Sequence, residues 1–263
     1  MSSARVALLW LLALLITVGT AAWQRRTGPT YPVRGTVTLG GEEIRYKLLR
    51  SQNTGETLPV RVRAAPEVTG EITWRRYPSD HPWQSLPMTR QGEELAADLA
   101  TLPPAGKLEY RVKLSRGEAS AEIPAAPAVA RFKGAVPAGV LVPHIACMFL
   151  GMLFSNVAAL SALARREQAR KQTWVAFVLL VVGGLALGPV VQKFAFDAYW
   201  TGWPFGTDLT DNKTAVAVAA WAFALWRCRG GRLARGAVVA AALVTIVVFS
   251  IPHSMFGSEL EVQ

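Results

Sequence analysis

Five apolar blocks, at residues 6–23, 143–163, 174–191, 215–226 and 237–251, limit what this chain can fold into. Crossing about 30 Å of hydrocarbon takes roughly 20 helical residues, and the last two blocks reach that span only with their flanks, residues 211–214 and Pro252-His253. In lipid a backbone must satisfy its own hydrogen bonds, so such blocks are read as helices. The chain of 263 residues is 51% hydrophobic and 17% charged, with its apolar residues gathered rather than dispersed. The expected class is therefore a membrane α-helical bundle of about five transmembrane helices.

A net charge of +10 would first suggest nucleic acid, but its placement argues against that partner. Arg165, Arg166, Arg170 and Lys171 separate the second and third blocks, and Arg227, Arg229, Arg232 and Arg235 separate the fourth and fifth. Cationic clusters in short loops resist translocation and mark the cytoplasmic side. The expected location is thus a bacterial inner membrane, with the N-terminus cytoplasmic. Residues 24–136, 192–214 and the tail from Pro252 would then be periplasmic. Arg25 and Arg26 lie on the wrong side for this rule, but the two internal loops agree with each other. Block 6–23 reads as a retained anchor (domain 1–24). A cleaved signal peptide, with Arg5 as its charged region, is the other reading, and it leaves the remaining topology unchanged. Cys147 and Cys228 fall at opposite depths, too far apart to bridge.

Residues 31–133 have a different texture. Short alternating segments at 33–39, 44–49, 58–63, 71–77, 94–99, 107–114 and 119–123 are punctuated by Gly40-Gly41, Asn53-Thr-Gly55, Pro103-Pro104 and Arg116-Gly117. Seven or eight short strands in about 100 residues are the pattern of an all-β, immunoglobulin- or fibronectin-III-like sandwich. Trp74 is expected on a central strand, facing the core. Tyr110, after Leu-Pro-Pro-Ala-Gly-Lys-Leu-Glu, sits where such domains place a corner tyrosine. Asp80-His81-Pro82-Trp83 is the one candidate site here, and it reads more simply as an exposed loop. The region reads as a docking module for a periplasmic protein.

The remaining residues, 137–263, form a four-helix membrane domain whose outer loop, 192–214, carries far more chemistry than a connector needs. This topology brings Pro143-His144, Gly188-Pro189 with the loop, and Pro252–Glu259 to one face. His144 and His253 are candidates for holding a b-type haem between facing helices. Met148 and Met152 follow His144 at intervals of four, with Cys147 adjacent and Met255 near His253, a soft donor set suited to Cu(I). Packing alone is the plainer reading for methionine at that spacing. In the loop, Asp208 or Thr210 can cap the next helix and Asp211 can complement its dipole. Tyr199, Trp200, Trp203 and Phe205 match an interfacial aromatic belt. Lys193, Asp197, Asp208, Asp211 and Lys213 are charges that cost free energy at an interface unless paired, so an ion-pair network is expected. Glu259 belongs to the same outer-face group.

Gly188-Pro-Val-Val-Gln-Lys193, Trp200-Thr-Gly-Trp-Pro-Phe-Gly206, Asp208-Leu-Thr-Asp-Asn-Lys-Thr214 and Ile251-Pro-His-Ser-Met-Phe-Gly-Ser-Glu259 resemble segments of a family of bacterial multi-pass membrane proteins with no established activity. The resemblance covers the C-terminal membrane half. It implies a shared architecture and no particular reaction.

The sequence has no nucleophile–base pair, Walker motif or CxxCH, and its apolar blocks lack mid-membrane charges of the kind transporters use for coupling. These readings point to a non-catalytic accessory or assembly subunit of a multi-subunit complex, of an electron-transfer, respiratory or photosynthetic kind. Its partners would be membrane lipid, other membrane subunits and a periplasmic protein. The competing classes are a haem b or copper protein using His144 and His253, and an envelope- or lipid-modifying enzyme using Asp197, Asp208 and Asp211 as acid–base groups.

Overall fold

The structure, a computed structural model, describes residues 2–230 and 232–253. The chain divides into two compact units, one of residues 29–135 and one that joins residues 2–28 to residues 136–253.

The first unit contains ten strands in two five-stranded sheets. One has the order β1 (Val33–Leu39), β2 (Glu42–Leu48), β4 (Leu58–Arg63), β8 (Glu94–Leu99), β7 (Thr89–Gln91); the other has β3 (Ser51–Asn53), β10 (Ala119–Lys133), β9 (Lys107–Arg116), β5 (Thr69–Arg76), β6 (Gln84–Pro87). Alternation decides which face is buried. Leu108, Tyr110, Val112 and Leu114 turn inward from β9 while Lys107, Arg111 and Lys113 alternate with them on the less buried face. Leu58, Val60 and Val62 do the same from β4, and both sheets contribute to one apolar core. Leu39 pairs with Glu42 across Gly40-Gly41. Both glycines have positive φ, at +57° and +83°, as a two-residue type I′ hairpin requires.

Three strands go beyond the sequence expectation. β3, β6 and β7 have three or four residues each, and β10 continues through a register shift between Ile123 and Ala128 to Lys133. Trp74 does lie on β5 against the core but is only half-buried. Tyr110 is fully buried, and its hydroxyl donates to the carbonyl of Leu49, 61 residues upstream, at 2.7 Å. A corner tyrosine bonds backbone only a few residues before itself, so the expected corner is replaced by a tie to the segment that follows β2.

The second unit is helical. It contains α1 (Ser3–Thr27), α2 (Ala138–Leu163), α3 (Gln168–Leu180), a π-helical segment (Val181–Leu187), α4 (Gly188–Phe196), α5 (Leu209–Arg227) and α6 (Arg235–Ser250). Three continuous segments, Ser3–Thr27, Ala138–Leu163 and Gln168–Phe196, are long and apolar enough to cross a membrane, and α6 is apolar but shorter. The opening of α5 is the polar run Leu209-Thr-Asp-Asn-Lys-Thr214, which separates it from the others. The core is lined largely by alanine, including Ala158, Ala162, Ala176, Ala217, Ala224 and Ala241. Small residues let helix backbones approach closely. Polar ties are sparse and buried: Asn156 Nδ2 donates to Thr17 Oγ1 at 3.0 Å, and Trp221 Nε1 donates to Thr245 Oγ1 at 2.8 Å.

The third helix does not end around Gly188-Pro189, where its outer end is expected from the sequence. The helix continues through Pro189, at the start of α4, as far as Phe196. Proline breaks a helix by removing an N–H, but at the first turn beyond a π segment the hydrogen-bond ladder is already re-registering. Gly183 and Gly184 make this segment fit. A Cβ on Gly183 would come 2.8 Å from Cys147 Cβ, and one on Gly184 would come 2.5 Å from Thr214 Cγ2.

Candidate functional site

The helix ends meet at one edge of the helical unit. Asp197 closes α4 with a left-handed φ of +63°, its N–H donating to the Lys193 carbonyl at 2.9 Å. The connection from Asp197 to Asp208 then folds onto the first turn of α5. Asp208 is the N-cap, as its sequence position predicts: Oδ1 accepts from Thr210 N at 2.6 Å and Asp211 N at 3.2 Å.

Three consecutive residues early in α5, Asp211, Asn212 and Lys213, each hold a different stretch of backbone. Asp211 Oδ2 accepts from Thr201 N at 2.7 Å and Gly202 N at 3.0 Å. Asn212 Oδ1 accepts from Trp203 N at 2.7 Å. Lys213, 3% exposed, donates through Nζ to the carbonyl of Ile251 at 2.6 Å, just past α6. That carbonyl also accepts from Gln24 Nε2 of α1 at 3.3 Å. In the amide orientation that satisfies both neighbours, Gln192 donates to Asp211 Oδ1 at 2.8 Å and accepts from Thr201 Oγ1 at 2.7 Å. Gly202 is required by this closeness, since a Cβ there would lie 2.6 Å from Asp211 Cβ.

The charges therefore resolve into separate contacts rather than one network. Lys193 pairs with Asp197 at 2.6 Å, while Asp208, Asp211 and Lys213 bind backbone groups. The aromatics also divide. Trp200 donates its Nε1 to the Trp203 carbonyl at 3.1 Å, and Tyr199 lies under the Lys193 ammonium, 5.6 Å from ring centroid to Nζ. Trp203 and Phe205 stand clear, 78% and 83% exposed.

On α2, His144 Nδ1 lies 2.8 Å from the carbonyl of Gly183 in the π segment. A carbonyl only accepts, so Nδ1 is the donor in this contact. His253 lies close enough to Lys213 and His144 for both to act on its charge. Met152 is buried in the alanine-lined core, Met148 packs against that core, and Cys147 is half-buried beside Gly183. No group of three or more His, Cys, Asp or Glu side chains able to hold a metal occurs among the described residues. Met255 and Glu259 lie outside the described residues.

Sequence reasoning missed Gln192, Thr201 and Asn212. The available signal was an Asp-Asn pair in a helix's first turn, next to a glycine-bearing loop, because short amide and carboxylate side chains readily take nearby backbone N–H groups. No protein-family model, no curated protein and no solved structure matches the chain.

Proposed function

We propose that this protein is a non-catalytic accessory or assembly subunit of a multi-subunit complex in a bacterial inner membrane, of an electron-transfer kind. In this reading about five helices span the bilayer. The β unit is an immunoglobulin- or fibronectin-III-like sandwich that docks a periplasmic protein.

One observation carries the reading. The acids, amide and amine of Asp208, Asp211, Asn212 and Lys213, the residues best suited to chemistry at this edge, are all engaged with the protein's own backbone. Such a cluster holds a shape. It does not leave a base or nucleophile facing a substrate. The arginine-bearing connections on one side and the aromatic loop on the other support the orientation proposed from the charge pattern. Purification from native membranes in mild detergent, followed by native mass spectrometry, tests this: co-isolated subunits in fixed ratio are expected, and a single species of the chain's own mass would sink it.

A second reading is favoured by the His144–Gly183 contact. A ligating histidine characteristically donates its other ring N–H to a carbonyl, which orients the ring and raises its basicity. With His253 nearby, the two imidazoles suit a b-type haem, and Met148 and Met152 on the same helix would suit copper. An absorption spectrum with metal analysis of the purified protein separates the readings. A Soret band, or stoichiometric copper, that disappears in His144→Ala would establish the cofactor role.

A further inference from the structure

We infer that Trp203 and Phe205 form a preformed wedge that seats in the lipid boundary next to the helix ends, with membrane lipid as its partner. This rests on the membrane reading above and adds a specific contact surface to it.

Two observations combine. The two largest side chains at the loop tip are almost fully exposed, which is costly in water and unusual for a neighbouring pair. The amide donors of the backbone that carries them make no demand on water. From Thr201 to Gly206 every amide N–H is bonded within the chain: Thr201 and Gly202 to Asp211, Trp203 to Asn212, and Phe205 and Gly206 to the Gly202 carbonyl at 2.9 Å each. Residue 204 is proline and has no N–H.

Irregular backbone can enter an apolar boundary only when its donors are satisfied internally. No residue between Ala198 and Thr207 is charged, and the Asp197 carboxylate at its base is neutralised by Lys193. Tryptophan adds an amphipathic ring of the type enriched at the headgroup level. The clamp also fixes the tip, so the aromatics cannot fold back under the loop to escape water.

The test places nitroxide labels on the full chain in phospholipid vesicles. In a Cys147→Ala, Cys228→Ser background, single cysteines are introduced as Phe205→Cys, as Trp203→Cys, at Leu243 on the exposed side of α6, and at Thr36 on β1. Relaxation by oxygen and by a water-soluble nickel chelate is then compared. Labels at 205 and 203 are expected to be reached by oxygen and shielded from nickel, at a shallower depth than 243, while 36 shows the opposite. If 243 lies in lipid but 205 and 203 are open to nickel, the wedge is overturned and the membrane reading stands. If 205 and 203 are closed to both reagents while 243 lies in lipid, a protein covers the tip and the wedge is again overturned. If 243 is itself open to nickel, the membrane reading falls and the wedge falls with it.

Discussion

Gly202 and Tyr110 show how single positions carry disproportionate weight. At Gly202 the approach of Asp211 and Asn212 leaves no room for a methyl group. Gly202→Ala is expected to lower the stability of the helical unit by about 1–3 kcal/mol, read as a fall in melting temperature in detergent, whereas Gly139→Ala, with open space around it, should be neutral. An unchanged melting temperature at 202 would mean that the loop is not clamped as described. Tyr110 offers a pH test. Burial pushes its hydroxyl well above the usual tyrosine range. An acid whose folded pKa is raised stabilises the fold fully below its unfolded pKa, and that contribution is lost as pH climbs past about 10 toward the folded value. Tyr110→Phe should cost about 1 kcal/mol at neutral pH by leaving the Leu49 carbonyl without this donor. It should also flatten the stability loss above pH 10, measured by denaturant unfolding of the full chain across that range.

At the level of elements, α1 is tied to α2 by the Asn156–Thr17 hydrogen bond and by Trp10 meeting Phe154 edge to face, with ring centroids 5.5 Å apart. A double-mutant cycle of Thr17→Val and Asn156→Leu should return a coupling of about 0.6 kcal/mol, the size typical of side-chain bonds between membrane helices. A coupling near zero would place α1 apart from α2. The elements also show what the sequence could and could not reveal. Strands with alternating apolar residues, such as β4 and β9, were legible because burial on one face imposes a period of two. β3, β6 and β7 were not, because three or four residues are too few to leave a periodic trace. Pro189 misled for a related reason. Proline ends most helices, and only the glycines of the preceding π segment, packed on α2 and α5, show why this one continues. The Asp208 cap was legible because its partners lie two and three residues away. The Asp211 contacts were not, because their partners sit nine and ten residues back across an aperiodic loop.

For the whole molecule, the connections carry the prediction. α2 to α3 and α5 to α6 are joined by short arginine-bearing turns, while α4 to α5 is joined by the aromatic loop. Lys213 at the start of α5 meets Ile251 at the end of α6, so these two helices run antiparallel. In intact cells a membrane-impermeant maleimide should label Asp80→Cys and leave Arg229→Cys unlabelled until the membrane is permeabilised. The reverse pattern would invert the proposed orientation and separate the β unit from the compartment it is proposed to serve.

Positions 211, 212 and 213 are consecutive, yet they hold three separate segments: 201–202, 203 and 251. Each added residue in an α-helix advances the side chains by about 100°, so one residue inserted ahead of Asp211 would swing all three away from their partners together. Point changes remove one hold at a time, whereas a frame-preserving insertion or deletion would release the tip, the cap region and the end of α6 at once. Length variation at this spot should therefore be far less tolerated than substitution.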